Sequence, residues 1–140
     1  MIRDFLPRDL ENVMQIWLEA NQQAHDFVPP DYWRNHYAEV SRLLPQAEVH
    51  VLEEGGEILG FIGLDGEYVA GLFVRRDARG RGVGRALLAH ARRTHRCLTL
   101  QVYRENSRAV AFYEREGFHI QSEQTDESTG CTELLMEWRA

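Results

Sequence analysis

A chain of 140 residues that is 44% hydrophobic and 27% charged is sized for one soluble globular domain, which excludes a low-complexity or disordered polymer. Its net charge of −6 argues against a non-specific nucleic-acid binder, and it has no run of about 18 apolar residues to span a membrane. Two cysteines, Cys97 and Cys131, are too few for a disulfide framework and lack metal-ligand spacing, so a reduced, cytoplasmic chain without a metal is the expectation.

The first residues, MIRDFLPRDLENVM, carry charges from the start and fit neither a signal peptide nor a span. Residues 2–5 predict a short strand. Residues 7–25 predict a helix, with Leu10, Val13, Met14, Trp17 and Leu18 at 3.6-residue spacing. Pro29-Pro30 breaks the chain, residues 31–44 predict a second helix, and Pro45 ends it. The apolar period then falls to two. Residues 48–53 and 57–64 flank Gly55-Gly56 as a hairpin, and Asp65-Gly66 turns into a third strand, YVAGLFV, over 68–74. A helix over 82–94 turns Val83, Leu87, Leu88 and Ala91 inward. Residues 98–103 predict a strand, and 107–116 a helix capped by Gly117. Two last strands, 118–124 and 131–138, flank the polar loop TDESTG. This order gives a mixed α/β (α+β) layer, not an alternating Rossmann pattern. Within it, strand 68–74, the turn, the helix and strand 98–103 form one parallel β-α-β unit with a right-handed crossover.

Charge is unevenly spread. Residues 1–70 carry 4 Arg and 13 Asp+Glu for −9, whereas residues 71–140 carry 12 Arg and 9 Asp+Glu for +3. There is no lysine, through codon bias or because the protein must not acylate itself. The positive charge gathers at RRDARGRGVGRALL, residues 75–88. Gly80, Gly82 and Gly84 let the backbone curl ahead of a helix N-terminus, whose unpaired N–H groups attract anions. Arg79, Arg81 and Arg85 add mobile charge, so a small polyanion such as a phosphate is the expected ligand. Walker A needs a lysine, and the dinucleotide fingerprint needs G-x-G-x-x-G, so neither fits.

Downstream stands ENSRAVAFYEREGF, residues 105–118, with Ala109, Phe112, Tyr113 and Glu116 along one helix stripe. An apolar strand followed by R-x-x-G-x-G, then N-x-x-A-x-x-F-Y-x-x-x-G-F about 25 residues later, resembles the GNAT superfamily of acetyl-CoA-dependent N-acetyltransferases. The element order resembles that family over the whole chain, and IWLEANQQAHDFVPPDYW resembles its small bacterial standalone members. The resemblance implies a mostly antiparallel central sheet with one parallel pair splayed to hold CoA, and helices on both faces. It also implies that Arg79 to Gly84, with Val83 and Arg85, hold the pyrophosphate. Leu72, Phe73 and Val74 would flank the pantetheine arm. Gly71 marks either a bulge or close packing. Asn106 would steady the arm, cap the following helix, or do both.

The implied chemistry is direct attack of an amine on the thioester. Val74 N–H would meet the developing oxyanion, and Tyr113 stands at the family's acid position. A phenol of pKa about 10 gives its proton to a thiolate of about 8.5 only uphill, so Tyr113 serves first as a hydrogen-bond donor to sulfur. Where many relatives place a base, Tyr68 and Gln101 stand instead. A water relay past Tyr68 to Glu67 or His25 is the expected substitute. His25, Phe27 and Trp33 would line the acceptor site, with Tyr32 and Tyr37 as further aromatic walls or plain core. The implied partners are acetyl-CoA and an amine: a protein lysine or N-terminus, a polyamine, an aminoglycoside or an amino acid. The rival is a non-catalytic acyl-CoA sensor. The chain would act as a monomer or homodimer, without nucleic acid or membrane.

Overall fold

The period-two stretches assemble into a single seven-stranded sheet. In the computed structural model, which describes residues 1–140, the strands are β1 (Ile2–Asp4), β2 (Glu48–Glu54), β3 (Glu57–Asp65), β4 (Tyr68–Val74), β5 (Cys97–Tyr103), β6 (His119–Asp126) and β7 (Cys131–Arg139). The helices are α1 (Leu10–Ala24), α2 (Pro30–Leu43), α3 (Val83–Arg92) and α4 (Ser107–Arg115). Strand order is β1-β2-β3-β4-β5-β7-β6, and every neighbouring pair is antiparallel except β4–β5. No helix is long and apolar enough to cross a membrane.

Two apolar layers cover the sheet. Val13, Met14 and Trp17 of α1 and Trp33 of α2 pack with Val49, Val51 and Phe61 on one face. Leu87, Leu88 and Ala91 of α3 and Tyr113 of α4 pack with Leu98, Leu100, Leu134 and Met136 on the other. Alternation along β5 divides it between the layers, sending Leu98, Leu100 and Val102 to the second and Tyr103 to the first.

The boundaries shift where local chemistry intervenes. Pro7–Asp9 form a 3-10 turn ahead of α1, because Asp9 Oδ2 accepts the Leu6 amide at 2.8 Å. Pro45 does not end the second helix outright: it lies in a 3-10 turn over Leu44–Gln46, where its missing N–H is no loss. α3 begins at Val83, one residue later than the period suggests, since Gly82 is left-handed at φ 77°. β6 extends to Asp126, paired with Cys131. At the end of α4, Phe118 N–H reaches Tyr113 O at 2.9 Å and Gly117 N–H reaches Glu114 O at 3.1 Å. This Schellman closure brings the Phe118 and Tyr113 rings to 5.5 Å, its usual apolar contact.

One irregularity matters most for the site. Gly63 pairs with Gly71 but Leu64 with Val69, so Ala70 is an extra residue bulged out of β4. Beyond it β4 bends away. β4–β5 pairing consists of Tyr68–Thr99 and Val69–Leu100 alone, while β4 stays on β3 to Val74 and β5 stays on β7 to Tyr103. Gly71 contributes differently: a Cβ there would lie 2.4 Å from Phe73 Cε2, so the missing side chain is what lets the Phe73 ring fold back over the strand. That ring then stacks 5.3 Å from Phe61 in the α1–α2 layer.

The N-terminal corner is held by charge. Arg3 donates to both Asp9 oxygens at 2.7 and 3.0 Å and to Glu53 at 2.9 Å, tying β1 and β2 to the start of α1. The Arg3 guanidinium holds the buried Asp9 carboxyl below its ordinary pKa. Asp9 therefore stabilises the fold above the ordinary carboxylate range, and this contribution fades as pH falls through its depressed value. Asp9→Asn is expected to lower unfolding free energy at pH 7 by about 3 kcal/mol. Urea titrations at falling pH should show the gap to wild type closing below about pH 4.

Candidate active site

Where β4 and β5 part, a cavity of about 790 Å³ opens and runs from the glycine turn to the C-terminal end of α1. At its mouth the backbone makes the cradle. Gly80 and Gly82 take φ of 76° and 77°, which side-chain-bearing residues rarely adopt. The first α3 bond is Ala86 N–H to Gly82 O at 3.0 Å, so the Val83, Gly84 and Arg85 amides have no partner within the helix. The Arg79 amide is already bonded to Arg76 O at 3.3 Å, so the free donors start one residue after the arginine. Gly84 lets the first turn of α3 sit against Phe112, whose Cζ would lie 3.3 Å from an added Cβ.

Side chains add field to this turn. Arg79 lines the cavity; burial, then the neighbouring Arg108 and Arg76, lower its pKa. Crowded cations that make no ion pair of their own favour an anionic ligand. Arg85 also lines the cavity and extends into solvent, with Nε 3.7 Å from Glu116. Arg81 does not line it. Its guanidinium turns to Glu54 at 3.4 Å.

The middle of the cavity is the free edge of β4. Arg75 N–H bonds to Leu59 O at 2.8 Å on the β3 side. Strand alternation then turns the Val74 and Leu72 amides the other way, into the seam. Leu72, Phe73 and Val74 all line it. Facing them is Tyr113, 8% exposed and packed edge-on against Phe112 and Phe118. Burial raises its pKa, so the hydroxyl stays protonated across the neutral range.

The far end is aromatic and acidic. Trp17, His25, Trp33, Tyr68 and Tyr103 line it together with Gln101 and Glu133. The His25 ring is tilted over Trp33 at 5.2 Å and meets Tyr103 edge-on at 5.1 Å. Burial lowers the His25 pKa to about 4, leaving it neutral. Asn106 links the two ends: its Oδ1 accepts the Ala109 amide at 3.3 Å as the cap of α4, and its Nδ2 lies 3.2 Å from His25 Nε2. Tyr68 donates to Gln101 Oε1 at 3.1 Å. Tyr103 donates to Asp126 at 2.6 Å, and Tyr32 and Ser128 meet at 2.8 Å above it.

Besides Arg81, two more sequence-predicted residues lie outside the cavity. Glu67 occupies the exposed β3–β4 turn outside the cavity, and the β4 bulge lies downstream of it, at Ala70. Phe27 packs edge-on against His25 and Tyr103 from behind and does not line the cavity. Sequence reasoning passed over Glu133 and Tyr103. They are Cα partners on β7 and β5, a register that no local sequence pattern marks.

The comparisons agree with this geometry. A model of the acetyltransferase (GNAT) domain matches residues 45–120. Peptidyl-lysine N-acetyltransferase YiaC of Escherichia coli (strain K12) is 34% identical over 140 residues, covering 99% of this chain and 96% of its own. The chain belongs to the GNAT acetyltransferase family. The solution structure of apo-form YjaB from Escherichia coli superposes on this GNAT enzyme with a TM-score of 0.88 at 30% identity, over 99% of this chain and 96% of that one. YncA from Salmonella typhimurium, solved with its cofactor acetyl-CoA, shares the fold at a TM-score of 0.69 and 18% identity, over 99% of this chain and 92% of that one.

The left-handed cradle residue offers a direct check. A Cβ at Gly82 would enter open space, so Gly82→Ala strains only the backbone. A loss of about 1–2 kcal/mol is expected in urea denaturation. Gly82→Asn should recover part of it, because asparagine tolerates this conformation better.

Proposed function

We propose that the protein transfers the acetyl group of acetyl-CoA to the side-chain amine of lysine residues in proteins. The observation that carries this reading is a single cavity joining an amide cradle, an open strand edge and an aromatic, acidic pocket. A pyrophosphate fits the first, since the unpaired amides after Arg79 and the guanidiniums of Arg79 and Arg108, which make no ion pair, are suited to an anion. An extended pantetheine arm fits the second, where Leu72 and Val74 would pair with it as a short added strand. An aliphatic stem ending in an ammonium fits the third, between ring faces and beside the Glu133 carboxylate. That several relatives are named peptidyl-lysine N-acetyltransferases supports the same acceptor class.

The chain's own groups supply the rest. Val74 N–H donates to the thioester oxygen as negative charge develops on it. Tyr113 donates a hydrogen bond to the departing sulfur. With a pKa raised by burial it is a poor proton source, so the hydrogen bond rather than full transfer is its contribution. The lysine amine must shed a proton first, at about 4–5 kcal/mol for pKa 10.4 at neutral pH.

Two measurements test this. Mass spectrometry after incubation with acetyl-CoA and a panel of lysine peptides, free amino acids, polyamines and aminoglycosides should find acetyl on peptide lysine side chains. The enzyme has no lysine of its own, which keeps its background low. Acetylation confined to small free amines would overturn the acceptor assignment, and acetyl-CoA binding without turnover on any amine would favour a sensor. In Tyr113→Phe, acetyl-CoA affinity should hold while kcat falls about 100-fold. Unchanged kcat would remove Tyr113 from the reaction.

A further inference from the structure

We propose that Glu133 of β7 is the general base that takes the proton from the acceptor amine. This rests on the acetyl-transfer reading above. Glu133 is the cross-strand partner of Tyr103, and side-chain alternation along β5 puts Gln101 on the same face. Tyr68 of β4 pairs with Thr99 on that face and donates to Gln101 at 3.1 Å. Glu133 thus stands at the acceptor end of the cavity, three strands of a rigid sheet fixing it relative to Tyr68.

Only two carboxylates line the cavity, Glu105 and Glu133. Glu105 is exposed in the turn before α4, beside the basic end. Glu133 is half-buried and has no salt-bridge partner; the nearby Arg104 guanidinium is engaged with Glu123 at 3.4 Å. An unpaired, partly desolvated carboxylate in an aromatic pocket is suited to receive an ammonium and then its proton. Burial and the charge of Asp126 raise the Glu133 pKa, which strengthens it as a base. Its other titratable neighbours are phenols, Tyr68 from β4 and Tyr103 from β5, both raised by burial and both neutral at working pH. Asp126, at the end of β6, is opposed by burial, but hydrogen bonds from Tyr103 and Ser128 outweigh it and keep Asp126 charged. His25, from the end of α1, competes poorly: its pKa is about 4 and its Nε2 lies on Asn106.

The step balances simply. The ammonium N–H pair stays on nitrogen as the first proton passes to the Glu133 carboxylate. Nitrogen then bonds to the thioester carbon, the C–S bond breaks with its electron pair leaving on sulfur, and the second proton, now on the acylated nitrogen, is lost to the departing thiolate or to solvent while Tyr113 hydrogen-bonds the sulfur.

The test compares wild type with Glu133→Gln and Glu133→Asp. At pH 7, Glu133→Gln should lose about 100-fold in kcat/KM on a lysine peptide, together with the acidic limb of the pH profile. Its loss should be far smaller on an amine that is already neutral below pH 6. Glu133→Asp should recover part of the rate, and thermal shifts with acetyl-CoA should match wild type for both variants. Independently of turnover, ¹³C NMR of carboxyl-labelled glutamates in the free protein should show one group titrating above the others, absent from Glu133→Gln. A Gln variant with wild-type kcat/KM and an intact limb overturns the assignment, as does a rise in KM alone. Wild type inert toward every amine sinks the acetyl-transfer reading and this role with it; an active wild type with an equally active Gln variant sinks Glu133 alone.

Discussion

The site exists because β4 and β5 part company after two residue pairs. A continuous parallel ladder would satisfy the amides of Leu72 and Val74 and leave nothing for a ligand to bond. The bulge at Ala70 prevents that. Each strand remains fully laddered on its outer side, β4 to β3 and β5 to β7, so the opening is held from both flanks and needs no ligand to prop it apart. The folded Phe73 ring over Gly71 locks the bent strand to the α1–α2 layer, which makes the splay part of the core. Unpaired strand edges invite aggregation when exposed; this one lies inside a cavity roofed by α4 on one side and the end of α1 on the other.

Charge follows the same seam. The basic half of the sequence contributes the mouth, where Arg79, Arg85 and Arg108 surround free amides. The acceptor end collects Glu133 with Asp126 close by, within a ring of aromatic side chains. The cavity therefore runs from a positive end to a negative one. An anionic donor and a cationic acceptor each find one end favourable and the other unfavourable, which orders them along the seam before any specific contact forms. Asn106 spans the join, capping α4 and touching His25, so the helix that carries Tyr113 is registered against the acceptor wall.

Features encoded by neighbours in sequence were readable before the structure. Glycine spacing marked the cradle, the period change at residue 48 marked the sheet, and Gly117 marked the end of α4. These depend on backbone sterics within a few residues. The acceptor end depends instead on sheet order and register. Glu133 meets Tyr68 only because β7 inserts between β5 and β6, an arrangement no local pattern in residues 118–138 specifies. Glu67 stands beside Tyr68 in sequence, but the bulge falls downstream of both, at Ala70, and leaves Glu67 in the exposed turn. Phe27 shows the remaining ambiguity. An aromatic beside a pocket is equally suited to wall or backing, and packing against His25 and Tyr103 made it backing.

Desolvation then does two opposite jobs in one cavity. A buried neutral phenol resists ionisation, so Tyr113 keeps its proton and stays a donor even beside a thiolate. A partly buried carboxylate resists ionisation too, which for Glu133 means a firmer hold on any proton it accepts. Both shifts are upward, yet one suppresses proton transfer and the other promotes it, because the groups begin on opposite sides of neutrality. A thiol of pKa about 8.5 leaves readily as a hydrogen-bonded thiolate, whereas an alkylammonium of about 10.4 cannot attack until deprotonated. In the proposed reaction the demand for a base therefore falls on the amine side, where β7 carries Glu133, and the sulfur side would be served by a hydrogen bond from the Tyr113 hydroxyl that burial keeps protonated.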